Sequence, residues 1–411
     1  MPETKFPKIR FVEAFPVETN QGKMIGLRDP SGIATDPLLL APDLFYLLQY
    51  FDGQHSVVDL RYEYLHAFGD FVYEDLLSQF ILHLDTHLYL DNAKFQAKLQ
   101  QLEQEILEQP VRPAAHAGTS YAADPTKLKE QIAGFFRRAG GVGLPELNHH
   151  QKEIRGLIAP HIDLRAGGAC YAHAYKELAE STGAECFVIL GTGHSGLTNL
   201  YSVLPKDFET PFGKAECDLG FINELNRNYD GVFESEVLPH KSEHTIEFQL
   251  LFLQYLLQGR KRFTFVPILC SFSYHQLDGE QFPREAEIAK KFSSALKKTV
   301  ANFHKKVCLI ASVDMSHVGP RYGDERAPDQ AFLSKVKQAD QTLLHHVEAV
   351  DGPAFYDCIK EYEDRYRVCG FSPIYTLLQA IEAKQGKLLN YASAAVDSHH
   401  STVTFASLVL G

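Results

Sequence analysis

Five positions in this chain join a metal-competent or acid/base side chain to the end of an apolar run or to a tight loop. His161 follows Gly156-Leu157-Ile158-Ala159-Pro160, and His194 follows Cys186-Phe187-Val188-Ile189-Leu190 by way of Gly191-Thr192-Gly193. Asp314 and His317 follow the apolar run 307–313, and Cys369 lies in Val368-Cys369-Gly370. Each is weak alone, since a single His after a strand is more often a hydrogen-bonded surface or core residue. A single Cys is usually a small buried hydrophobe. Shared placement changes the reading, because strand ends in one sheet converge in space. Two imidazoles with a third, anionic group are the minimal open site for a divalent metal, leaving positions for water or substrate. Asp314 and His317 can flank such a site as supporting or acid/base groups. A second cluster, Glu243, His244 and Glu247, opens an apolar helix and puts His244 and Glu247 on one face. Favourable charge and capping at a helix start is the competing explanation.

The elements that must position these groups follow from the pattern. Between the two His-terminated runs, Ala169, Ala172, Tyr175 and Leu178 recur at helical spacing. Short apolar runs bounded by Gly or Pro suit strands buried on both faces, with the segment between them as a crossover helix. Such a βαβ unit brings both imidazoles to the carboxyl edge of the sheet, where open α/β sheets bind ligands. Further strands are predicted at 201–204, 263–269, 307–313, 388–394 and 402–410. A helix is predicted over 243–259, with Ile246, Leu250, Leu253 and Leu257 as its buried stripe. One long helical region is predicted over 330–362, and 208–218 reads as turn-rich. The fold class is α/β, a three-layer α/β/α sandwich around a central, mostly parallel or mixed sheet, spanning 112–411. Residues 1–95 read as a small winged-helix-like α+β domain, a hairpin turning at Asn20-Gln21-Gly22 followed by three short helices. Residues 96–111, rich in Gln, Glu and Leu, read as a linking helix.

A chain of 411 residues exceeds the size at which one core usually stops growing, so two domains are expected. The hydrophobic fraction of 45% is ordinary for a soluble globular protein. A formal net charge of -12 argues against a nucleic-acid-binding surface. The start, MPETKFPKIR, lacks the apolar core of a signal peptide, and the greasiest stretch, 250–257, is too short to cross a bilayer. Seven scattered Cys without a CxxC pair fit a reducing cytoplasm. No P-loop or GxSxG occurs, which removes support for P-loop nucleotide binding and serine hydrolysis. The remaining histidines, including His149/His150, His345/His346 and His399/His400, read as surface residues.

Eight phrases now add to a resemblance: RPAAHAGTSY, APHIDLRAGG with AHAYKEL, LGTGHSG, FETPFGKAECD, SEHTIEFQL, VPIL, SVDMSHVG and VCGFSPIYTLL. In this order they resemble the Memo family over about 112–411. That family shares its fold with the class III extradiol dioxygenases of the LigB type, which are non-haem iron enzymes. The resemblance implies metal ligands at His161, His194 and Cys369, with Asp314 and His317 beside them. Together with the cluster read at the helix start, this makes Asp314, His317, Glu243 and His244 the expected catalytic groups. The N-terminal part resembles PqqD-like domains through LLQYFDGQHSVVDL and its closing helix. The whole is similar to the bacterial branch called AmmeMemoRadiSam system protein B, associated with a radical SAM protein and an AMMECR1-like protein. The commoner form of the family has a small residue and Gly-Tyr after Pro-His, where this chain has Ile162-Asp163-Leu164. Relative to the dioxygenases, a thiolate stands where a carboxylate would be; this softer donor suits zinc, copper(I) or iron.

The resulting expectation is one divalent metal ion, iron first with zinc or copper as alternatives, in a dioxygenase-like oxidoreductase site. The substrate would be a small molecule or peptide. Two rivals are a non-catalytic peptide-binding adaptor with a vestigial metal site, and a zinc-dependent hydrolase using Glu243 or Asp314 as base.

Overall fold

The unbroken apolar runs that precede His161, His194 and Asp314 are parallel strands of one sheet. A computed structural model describes residues 5–20, 22–137, 141–146, 153–181, 183–230 and 235–411. The chain divides into two units between Glu108 and Gln109.

In the first unit, strands β1 (Glu13–Thr19), β2 (Gly22–Arg28) and β3 (Leu38–Leu40) form an antiparallel sheet in that order. Helices α1 (Pro42–Leu47), α2 (Val57–Phe68), α3 (Glu74–Thr86) and α4 (Ala93–Glu108) follow. The predicted hairpin is β1–β2, with β3 added to it; Gln21 of the expected turn lies outside the described residues. Ser56 and Asp59 make a reciprocal capping box at the start of α2, and left-handed Gly69 ends it. Leu27, Leu47, Phe51, Leu60, Leu77 and Leu84 belong to a core of this unit's own. The stretch expected to link the units lies largely within α4, inside the first unit.

The second unit runs in order through α5 (Pro125–Arg137), β4 (Gly156–Ala159), α6 (Leu164–Ser181), β5 (Cys186–Thr192) and β6 (Tyr201–Val203). Next come β7 (Phe208–Thr210), β8 (Gly213–Ala215), α7 (Leu219–Asn228), α8 (His244–Leu257) and β9 (Thr264–Cys270). The chain continues with α9 (Pro283–Asn302), β10 (Val307–Ser312), β11 (His317–Val318), α10 (Gln330–Glu348) and α11 (Gly352–Glu361). It closes with α12 (Phe371–Ala380), β12 (Gly386–Ala395) and β13 (Thr402–Leu410). Eight strands form one sheet in the order β11-β13-β4-β10-β5-β9-β6, with β12 paired to β13. The central four, β4, β10, β5 and β9, are parallel. Strands β6, β13, β12 and β11 pair antiparallel, so the sheet is mixed.

Helices flank this sheet. One group, α5, α6 and α8, packs together and covers β4 and β5; another, α9, α11 and α12, packs together with α12 on β10, β5 and β9. All residues of β4 and β5 are buried, which is why neither strand alternates in polarity. Gly191 in β5 is a close approach: any Cβ there would collide with the Thr245 hydroxyl at the start of α8. Three elements differ from expectation. The predicted long helix over 330–362 is two helices, because Asp351 caps a new start just before Gly352-Pro353. The turn-rich stretch contains the β7–β8 ribbon. Helices α7 and α9 carry amphipathic faces that the sequence reading passed over.

Candidate metal centre

Register explains why the centre lies where it does. Ser312 of β10 is level with Ala159 of β4 on one side and Gly191 of β5 on the other. His161, His194 and Asp314 therefore leave the sheet at the same edge, within three residues of that line. Cys369 arrives from elsewhere, on the loop before α12. Its neighbour Gly370 donates its N–H to the Asp314 carbonyl at 3.1 Å. A Cβ at Gly370 would press on that carbonyl and on Val313, so glycine is what lets the loop close against the strand end.

Each imidazole has one nitrogen committed. His161 is buried, and its Nδ1 lies 2.9 Å from the Ser312 carbonyl. That contact makes Nδ1 the donor and leaves Nε2 with its lone pair. Nε2 is 3.3 Å from Cys369 Sγ and 3.6 Å from Asp314 Oδ2. His194 Nδ1 lies 3.1 and 3.2 Å from the two oxygens of Glu243, and its backbone N–H donates to the same carboxylate at 2.9 Å. One donor atom each from His161, His194 and Cys369 fall within 4.8 Å of one another. In a tetrahedral ion with bonds of about 2.1 Å to nitrogen and 2.3 Å to sulfur, the two donors would be about 3.6 Å apart. The observed N···S separation is close to that, and two neutral imidazoles plus one thiol are a chemically coherent donor set for a divalent ion.

The electrostatics follow from burial. Burial, with His194 and His244 nearby, holds His161 well below its ordinary pKa, so it is a neutral ligand-type imidazole. Burial also pushes the Cys369 thiol well above its ordinary value, with Asp314 adding to the effect; a cation would reverse this. Burial raises Asp314 to about 7 although the N–H groups of His161 and Ile162 donate to its Oδ1. For Glu243, burial opposes the charge, but His194 and His244 hold the carboxyl well below the usual range. That residue is also the N-cap of α8, accepting from the N–H groups of His244 and Thr245. Capping and site geometry, posed as alternatives by the sequence, are both true of Glu243.

Of the expected catalytic residues, Asp314, Glu243 and His244 lie at the cluster. The His244 ring centroid is 5.1 Å from that of His194 and 5.4 Å from that of His161. His194, Glu243 and His244 form a second group with donor atoms within 4.8 Å. His317 belongs to neither group. Its Nδ1 faces the Met315 carbonyl at 3.1 Å, its ring meets Tyr322 edge-on, and burial lowers it to about 4. Asp163, the extra carboxylate after His161, is bound through both oxygens to Arg165.

Glu247 belongs to neither donor group. It is fully buried and receives Arg112, the Tyr121 hydroxyl and the N–H groups of Ala115 and His116. Arg112, 1% exposed, also donates to the carbonyls of His240 and Glu243. This clamp seats the segment 112–121 on α8 and delivers His116, whose ring centroid is 5.7 Å from that of His244. Sequence reasoning missed His116 and treated His240 as a surface residue, whereas His240 is buried beneath Arg112. The only signal for His116 was its place in RPAAHAGTSY. His345, His399 and His400 are exposed, and His149/His150 lie outside the described residues. Among the described residues no helix is long and apolar enough to cross a membrane.

The model of the Memo-like protein family matches residues 112–409. A MEMO1 family protein of Aquifex aeolicus is 29% identical over 406 residues, spanning 98% of this chain and 99% of its own. One from Methanopyrus kandleri is 32% identical over 305 residues, 72% of this chain and 98% of its own. Another, from Saccharolobus solfataricus, is 32% identical over 286 residues, 67% of this chain and 89% of its own. The Aquifex relative thus parallels both units, while the Methanopyrus relative is too short to hold more than a counterpart of the second.

Proposed function

The chain belongs to the Memo-like family, and from that membership and the converging donors we propose that its second unit binds one divalent metal, iron, through His161, His194 and Cys369. The observation that carries this is the placement of three donor atoms within 4.8 Å, with both imidazoles already oriented by acceptors at Nδ1. An iron ion held there would supply redox and oxygen-binding chemistry, as in a dioxygenase-like oxidoreductase. Around it, this chain's own groups divide the remaining work. Ser312 and Glu243 orient the two imidazoles. Asp314 holds or passes a proton at Oδ2, beside His161 Nε2. His244, on the more open side, meets the substrate, a small molecule or a peptide. His317, engaged with Met315, supports the strand edge near Asp314.

On this reading the protein works with a radical SAM protein and an AMMECR1-like protein, with the first unit as a PqqD-like peptide-holding module. All seven Cys are free thiols, which supports action in a reducing cytoplasm. The soft Cys369 donor supports a second reading, a zinc hydrolase in which Glu243 or Asp314 activates water. Metal analysis of anaerobically purified protein, with electron paramagnetic resonance after nitric oxide addition, separates the readings. Iron with a nitrosyl signal is expected. Zinc alone, silent to nitric oxide, would replace the oxidoreductase reading with the hydrolase, and a chain purified without metal would contradict both.

A further inference from the structure

We propose that this edge of the sheet carries a second cation position, formed by Glu243, His244 and the Nδ1 atom of His194. His194 would then serve two ions from its two ring nitrogens. The inference rests on the preceding reading only for the ion on the Nε2 side; the second position has its own geometry.

That geometry is crowded in a way a cation relieves. Four nitrogens lie near Glu243 Oε1: His194 Nδ1 at 3.1 Å, His244 Nδ1 at 3.1 Å, and the backbone N–H groups of His244 at 2.9 Å and Thr245 at 3.2 Å. A carboxylate oxygen has two lone pairs, so the imidazole donors compete with the helix donors for them. One cation where the two Nδ1 atoms and Oε1 meet would replace both imidazole protons and reduce the four contenders for Oε1 to three, the cation and the two helix N–H groups. Two ligands at about 2.1 Å from an ion and at right angles are about 3.0 Å apart, which matches the two 3.1 Å separations.

The donor set is also distinct. Two imidazoles and a carboxylate suit borderline divalent ions such as iron(II), cobalt(II) or zinc, whereas the set containing Cys369 favours thiophilic ions. Access differs as well. The His194 and His244 side chains are 43% and 29% exposed, against 3% for His161 and Asp314. The second position can therefore load from solvent without opening the interior.

The protons balance as follows. His244 moves its proton from Nδ1 to Nε2 with no net release. His194, when its Nε2 is already ligated, gives its Nδ1 proton to solvent and bridges as imidazolate. Each second cation thus releases one proton.

The test uses the full-length chain, stripped by chelator and kept anaerobic, titrated with cobalt(II) by absorbance and with zinc by equilibrium dialysis. Two ions per chain are expected, with thiolate-to-cobalt absorption reporting one of them. His244→Ala should keep that absorption and weaken the other ion by at least about 10–100-fold, since a direct ligand is lost. Cys369→Ser should lose the absorption and keep the His244-dependent ion. His244→Gln, of closer size, decides the matter if the alanine variant does not fold. A wild-type chain that binds only the ion with thiolate absorption, or a His244 variant that still binds two with unchanged affinity, overturns the inference. Loss of thiolate absorption in the wild type would instead refute the first centre and leave the His244-dependent ion standing.

Discussion

The clamp beneath the centre supports a quantitative prediction through Glu247→Gln. In the wild type, one carboxylate oxygen receives Arg112 and the Ala115 N–H, the other the His116 N–H and the Tyr121 hydroxyl. The gentlest fit of the amide turns its NH2 toward Tyr121, whose oxygen can accept. His116 N–H then loses its acceptor, which costs about 1–3 kcal/mol when the group is buried. Arg112, 1% exposed, simultaneously loses its counter-charge. Breaking a buried pair from one side typically costs about 3–5 kcal/mol in all. For a unit of roughly 300 residues, with unfolding entropy near 2.1 cal/mol/K per residue, that corresponds to a Tm lower by about 5–8 °C. Differential scanning calorimetry of wild type, Glu247→Gln, Arg112→Met and the double variant Arg112→Met/Glu247→Gln provides the measurement. The double variant should cost less than the sum of two singles by about 0.5–3 kcal/mol. A Glu247→Gln Tm within about 1 °C of wild type, or strict additivity in the cycle, would refute the clamp.

Two further predictions address other parts of the chain. Burial raises Asp364 to about 6, although the Val368 N–H, Arg367 and His275 partly offset it. Because the folded value exceeds the unfolded one, stability should fall as pH rises from about 4 to about 6, and the penalty persists above that. Asp364→Asn keeps the acceptor for Val368 and tolerates the left-handed φ of 44°. It should match wild type near pH 4 and exceed it by up to about 3 kcal/mol at pH 8 in urea unfolding; equal stability at both pH values counts against the account. A fragment beginning at Gln109 should fold and bind metal as the full chain does, since its core is its own and every proposed ligand follows residue 160. An insoluble or metal-free fragment would show that the two units form one cooperative whole.

The parts of the fold legible in sequence were those governed by local rules. Runs such as Cys186–Leu190 announce a strand buried on both faces, and the His beyond each run is then bound to reach the carboxyl edge. The boundary between α10 and α11 was written in Asp351-Gly352-Pro353 but was hidden by helical periodicity on both sides. Cys369 carried only the weak local signal of a tight loop, because its position depends on how closely Gly370 approaches Asp314, a contact between residues far apart in the chain. Arg112 and Glu247 were opaque for a related reason. Nothing local marks a charged residue as buried, so Glu247 read as a neighbour of His244 when its role is to hold the segment that carries His116. His116 followed the same logic, reaching the cluster only because that clamp exists.

The proposed centre is tested most directly by X-ray absorption at the edge of whatever metal the anaerobically purified protein carries, in wild type and Cys369→Ser. One sulfur at about 2.3 Å and two imidazole nitrogens are expected in the wild-type shell, with the sulfur gone and the affinity weakened in the variant. A shell of nitrogen and oxygen alone in the wild type, or a sulfur contribution unchanged in Cys369→Ser, would contradict the proposed centre.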